Sequence, residues 1–189
     1  LSLLKFIFNE TSMLNNIKSG LNFLFDRNVK NLTTLCLELE IPKTLKKGNY
    51  IYLQNIITDL IFGLERYDLL LSFINNIVDK GYRPGIITLN PLLVDKFLKE
   101  HSSENWIKNL IVCFNINKSG FNVFPSKKEV ELFINHEKKY KLMGMSIFSS
   151  GAANIEESIS YIKGLKLDYV VFGTSKIENV QKNLNLLKT

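Results

Sequence analysis

Two short polar turns near the C-terminus hold the residues whose types and spacing best suit a chemical task. Ser149-Ser150-Gly151-Ala152 and Gly173-Thr174-Ser175 each follow an apolar run and stand directly before a helical pattern. Small residues let a ligand approach the backbone, and the free N–H groups of a helix start favour an anion. The pair of turns therefore predicts a phosphate-binding corner. The same residues also have a purely structural use. Ser175 followed by Glu178 reads as a capping box, and Gly151 or Gly173 can serve turn geometry alone.

Other candidates are weaker in pattern. Asn115, Asn117, Lys118, Ser119 and Gly120 form a polar turn after an apolar run, and Lys118 there would suit the electrophile or Schiff-base amine of an aldolase-type lyase. Glu38 and Glu40 share one face of a strand-like segment, a spacing that a carboxylate pair uses and that a half-exposed strand also produces. The two histidines, His101 and His136, lie at a helix end and off an apolar stripe. They read as surface residues, and no metal site is expected. Cys36 and Cys113 sit in apolar segments without CxxC spacing, which predicts buried reduced thiols in a cytoplasmic protein.

These residues must be carried by elements that alternate along the chain. Residues 3–8 read as a strand and residues 13–29 as a helix with Leu14, Ile17, Leu21, Leu24 and Phe25 on one face. Residues 33–39 and 50–57 have strand patterns. Residues 64–80 carry an apolar stripe of helical period, with Gly81 placed to end the helix. From there the rhythm is regular: a strand over 85–88, a helix over 91–100 with Pro91 in its first turn, and a strand over 110–114. A helix capped by Ser126 and running to about Tyr140 follows, then a strand over 142–147, a helix over 154–163, a strand over 168–172 and a helix over 176–187. Such alternation implies a parallel sheet with right-handed crossovers. An open doubly wound sheet would satisfy it equally. The polar turns after the last two strands favour the later β/α units of a (β/α) TIM-type barrel, read as one domain over residues 1–189.

The stretch VVFGTSKIENVQKNLNLL, residues 170–187, resembles the last strand and helix of the aldo-keto reductase family. There a Gly-Thr-Ser-Lys turn and a later Asn hold the adenosine end of NADPH. GMSIFSSG, residues 144–151, resembles the preceding strand and cofactor loop. GIITLNPLLVDKFLKE resembles the strand and helix that begin Gly-Val-Ser-Asn, and LIVCFN the strand ending in Tyr-Asn. The resemblance covers residues from about 50 to the end. It implies an NADPH-dependent oxidoreductase acting on a carbonyl or an alcohol. It also implies that Lys176 meets the 2′-phosphate, that Asn183 meets adenine, and that Ser149, Gly151, Gly173, Thr174 and Ser175 line the phosphate corner.

The departures matter as much. Ile87 and Thr88 stand where the family has the Ser-Asn pair that orients the nicotinamide, and residues 110–114 contain no Gln. Asn55 and Asn9 lie near the places expected for the catalytic His and Lys. The segment that should supply Asp and Tyr would precede Leu1, together with about two β/α units. A non-catalytic relative that binds a nucleotide or a partner is therefore an alternative, beside the lyase based on Lys118.

Composition bounds these readings. The chain has 189 residues, 46% hydrophobic and 22% charged, enough to bury a sizeable core. No apolar run approaches the roughly 18 residues that span a bilayer, so no membrane partner is expected. A formal charge of +6 favours anions, but the lysines are dispersed rather than clustered, which argues against a nucleic-acid partner and for a small-molecule ligand. An unclosed parallel sheet would expose strand edges and favour a homo-oligomer.

Overall fold

The computed structural model describes residues 41, 44–174 and 176–188. The strands and helix expected before residue 40, together with Asn9, Cys36, Glu38, Glu40 and Ser175, lie outside the described residues. The chain divides into two compact units, one of residues up to 51 with 61–83, the other of 52–60 with 84 onward.

In the first unit, α2 (Tyr67–Asp79) buries Leu70, Phe73, Ile74 and Ile77, the spacing of one helix face. Gly81 ends it at φ 79°. Its N–H donates to the Val78 carbonyl, and that of Tyr82 to the Ile77 carbonyl, so the last carbonyls are satisfied by a left-handed turn that glycine adopts without strain.

Strand β1 (Tyr50–Leu53) stops four residues short of its expected end. From Asn55 the chain turns into α1 (Asn55–Gly63), where the Thr58 N–H and hydroxyl both donate to the Gln54 carbonyl. The β-branched run Ile56-Ile57 reads as strand. Burial of Thr58, Ile61 and Phe62 follows helical spacing instead, and tertiary burial outweighs local propensity.

The sheet has five strands, all parallel, in the order β1-β2-β3-β4-β5. Helices alternate with its strands, as the sequence pattern requires. The remaining strands are β2 (Arg83–Thr88), β3 (Ile111–Asn115), β4 (Lys141–Met145) and β5 (Tyr169–Val170). Cys113 pairs in register with Ile87 and Met143, and Met143 with Tyr169. All five residues of β3 are buried, as befits an inner strand of a sheet covered on both faces. The helices of this part are α3 (Pro91–Glu100), α4 (Lys127–Asn135), α5 (Ile155–Lys163) and α6 (Ile177–Lys188).

Ser126 caps α4 as its sequence predicts, accepting from the Glu129 N–H and donating to the Glu129 carboxylate at 2.6 Å. The helix ends at Asn135 rather than near Tyr140. Residues 136–139 are His-Glu-Lys-Lys and offer nothing apolar to bury, while Lys138 Nζ donates to the Phe133 and His136 carbonyls and closes the helix end.

Cys113 is buried, and desolvation pushes its thiol up to about 12. Because the thiolate is the reactive form, a thiol reagent should modify Cys113 slowly in the native protein and rapidly after denaturation. Fast native modification would contradict this placement.

At the start of β4 the buried Tyr140 hydroxyl donates to Asp95 at 2.6 Å, and Asp95 also accepts from Lys99 at 2.8 Å. Burial, then Asp95, raises the Tyr140 pKa, and Tyr161 is raised in the same direction by burial and by Glu131. A raised folded-state value gives stability that is complete below the ordinary tyrosine value of 10.0 and is lost as pH climbs above it. Urea midpoints should therefore fall between pH 9 and 11. Tyr140→Phe should cost about 1.5–3 kcal/mol at neutral pH, the scale of a hydrogen bond to a charged group, and make that alkaline fall shallower. Parallel profiles for the two proteins would show that Tyr140 does not cause it.

Candidate functional site

The loop after β4 takes an unusual path. Ser146, Ser149 and Ser150 have φ of 58°, 49° and 58°, followed by Gly151 at 87°. Serine disfavours this left-handed region, so the turn needs external support. Ser146 Oγ donates to Asn115 Oδ1 at 2.7 Å, and the Ser149 and Ser119 hydroxyls lie 2.8 Å apart. The loop after β3 is tied in turn. Asn115 Nδ2 donates to the Asn122 carbonyl, and Asn117 Nδ2 to the Phe121 carbonyl. Asn117 Oδ1 accepts from the Ser119 hydroxyl and the Phe121 N–H. Asn115, Asn117 and Ser149 are all buried. A network of short polar side chains thus holds the ends of β3 and β4 in one arrangement.

After β5, the Thr174 hydroxyl and the Lys176 backbone exchange contacts of 3.4 Å. Between this turn, the loop after β4 and helix α6 lies a cavity of about 770 Å3. Ser146, Ser150, Thr174, Asn179 and Asn183 supply its polar groups, and Phe148 and Phe172 its aromatic ones. The two rings meet edge to face, with centroids 5.6 Å apart. Asn183 is only 2% exposed, and its Oδ1 is buried without a hydrogen-bond partner. Such an oxygen lacks compensation for its lost hydration. None of the described lining residues has an ionisable side chain.

Four of the residues assigned to the cofactor by the resemblance meet at this cavity, Gly151, Gly173, Thr174 and Asn183, together with Ser150 of the first turn. Ser149 is not among the lining residues and is buried in the serine–asparagine network. Lys176 is exposed and outside the lining. Phe148, Phe172 and Asn179 were not singled out. Asn179 stands four residues before Asn183 on α6, a spacing that puts both on one helix face.

The helix starts beside the cavity carry negative charge of their own. Asn154 caps α5 by accepting from the Glu157 N–H at 3.1 Å, and Glu156 and Glu157 occupy its first turn. Glu178 occupies the first turn of α6. These carboxylates already complement the helix dipoles and disfavour an added anion there.

Other candidates do not join this group. Lys118 is exposed and pairs with Glu157 at 2.7 Å, which holds the Glu157 carboxyl below its ordinary range. A Schiff-base lysine needs the opposite setting, a dry pocket that favours the neutral amine. His101 stacks on Phe97 with centroids 4.3 Å apart, and His136 is exposed. No group of three or more metal-binding side chains occurs among the described residues, and no described helix is long and apolar enough to cross a membrane.

At the end of β2 the buried Thr88 donates to Asp59 at 2.5 Å and accepts from the Asn90 N–H at 3.0 Å. Asp59 also accepts from the Leu89 N–H. Thr88 is committed to holding this loop, and Asn55 begins α1. When the chain is compared with known proteins, no family model matches it, and neither does any curated protein or solved structure.

Proposed function

We propose that this chain is the later part of an aldo-keto-reductase-like (β/α) TIM-type barrel, and that the cavity beside α6 takes the adenosine end of NADPH for an oxidoreductase acting on a carbonyl or an alcohol. The observation that carries the reading is a cavity between two polar turns, lined in part by Asn183, whose Oδ1 is buried and unpartnered. An acceptor of this kind suits an amino group of a base. Phe148 and Phe172 offer apolar surface to a flat ring, and Lys176 stands two residues past Thr174, a position suited to a 2′-phosphate outside the cavity.

When bound, NADPH supplies a hydride. The chain's own groups here bind and orient, since no described lining residue can give or take a proton. Thr88, tied to Asp59 where the family resembled has the pair that orients the nicotinamide, favours a second reading, a non-catalytic relative that binds the nucleotide alone.

The test is titration of NADPH and NADH by the fluorescence of the reduced nicotinamide. Both should bind. Because Lys176 is exposed, its contact with a 2′-phosphate should be worth about 0.2–1 kcal/mol, so NADPH should be favoured by no more than about fivefold. Lys176→Ala should erase the gap and leave NADH unchanged. A preference above tenfold that survives Lys176→Ala would place the phosphate elsewhere.

A further inference from the structure

Lysines that lie apart in the sequence do not all stay apart in the fold. In the first unit, residues 44–50 run beside residues 79–83. The Gly48 N–H donates to the Gly81 carbonyl at 2.8 Å, and the Arg83 N–H to the Asn49 carbonyl at 2.9 Å. This pairing brings Lys46 and Lys47 to Lys80 and Arg83, and Lys47 Nζ donates to the carbonyl of Lys80, 33 residues away. We infer that this basic end of the first unit is a surface for the phosphate backbone of a nucleic acid, bound by charge and without regard to sequence.

Two of the four cations are held by aromatic faces. Lys47 Nζ lies 4.3 Å from the centre of the Tyr82 ring, and the Arg83 guanidinium 5.6 Å from that of Tyr50. A ring restrains a cation and leaves it its charge, whereas a carboxylate would cancel that charge. Lys46, Lys47 and Arg83 are exposed, and none of them has a carboxylate partner among the described residues. Asp79 is the one acidic residue in the two segments, so the local field favours an anion. A lipid surface would be gripped by charge together with apolar side chains that enter it. None of the exposed large apolar residues among those described lies in these segments. Phosphates along a nucleic acid need no such anchor, because release of their counterions drives the binding.

The experiment is fluorescence anisotropy of a labelled DNA duplex of mixed sequence, titrated with the whole chain at several salt concentrations. Four phosphate contacts should give a slope of log affinity against log salt of about −3 to −4, a loss of roughly a hundredfold between about 50 and 200 mM. A duplex of unrelated sequence should bind equally. Lys46→Ala should make the slope shallower by about 1, and Lys46→Ala with Arg83→Ala by about 2. Lys128→Ala, at an exposed lysine of the second unit, should change neither slope nor affinity. Lys46 is exposed, so its single variant decides the matter if the double variant does not fold. No binding at low salt, a slope unaltered by Lys46→Ala, or tighter binding to phosphatidylserine vesicles than to the duplex would overturn the inference. A preference above tenfold between the two duplexes would contradict charge as its basis.

Discussion

Phe114→Ala should destabilise the protein by about 3–5 kcal/mol, the range for emptying a fully enclosed aromatic site. Phe114 has no exposed surface and lies on β3, where all five residues are buried. Its ring meets Phe133 of α4 edge to face at 5.5 Å, so truncation removes both transfer energy and a directional ring contact. Its registered neighbour on β4 is Gly144, which has no side chain to move into the space. Against a total stability of roughly 5–15 kcal/mol, the loss would be a large part of the whole. Urea unfolding would report it as a lowered midpoint. Leu132→Ala on the same helix as Phe133 is the control, since Leu132 is 54% exposed and should change stability by no more than about 0.5 kcal/mol. Equal losses at the two positions would contradict the assignment of the core.

Asn117→Ala should cost about 1–3 kcal/mol, more than its small volume suggests. This amide has no exposed surface and serves three partners: the Phe121 carbonyl, the Phe121 N–H and the Ser119 hydroxyl. Removing it takes the donor from the Phe121 carbonyl, leaves the Phe121 N–H only its longer 3.3 Å contact to Ser119, and frees the Ser119 hydroxyl that meets Ser149 in the loop after β4. The variant should therefore lose stability and also bind nucleotide more weakly, although Asn117 does not line the cavity. Asn117→Asp keeps the acceptor for Ser119 and the Phe121 N–H but buries a carboxylate oxygen against the Phe121 carbonyl, and should cost at least as much as Asn117→Ala. Unchanged binding by a folded Asn117→Ala protein would show that the network does not shape the cavity.

These two positions also show what could be read from sequence. The run Ile111-Val112-Cys113-Phe114 declares a buried strand by composition, and the helices of residues 67–79, 91–100 and 155–163 declare themselves by apolar period and caps. Ile56-Ile57 misled, because β-branched residues look extended until Thr58, Ile61 and Phe62 are seen to be buried together. Around the cavity, Gly151, Gly173 and Thr174 stand out in the sequence because turn residues before a helix are a local signal. The support from Asn115, Asn117 and Ser119 does not. It depends on contacts such as Ser119 to Ser149, 30 residues apart, and sequence periodicity has no access to such distances. The absence of a partner on Asn183 Oδ1 is likewise a property of packing. The resemblance points to this asparagine, and the burial of its unpartnered oxygen is visible only in the structure.

Binding of NADPH by the folded chain is the most direct test of the cavity's role. Calorimetric titration of the unmodified protein should give saturable binding of one NADPH per chain at submillimolar concentration. No detectable binding at millimolar NADPH, in protein shown to be folded, would contradict the account and leave the turns after β4 and β5 as structural features alone.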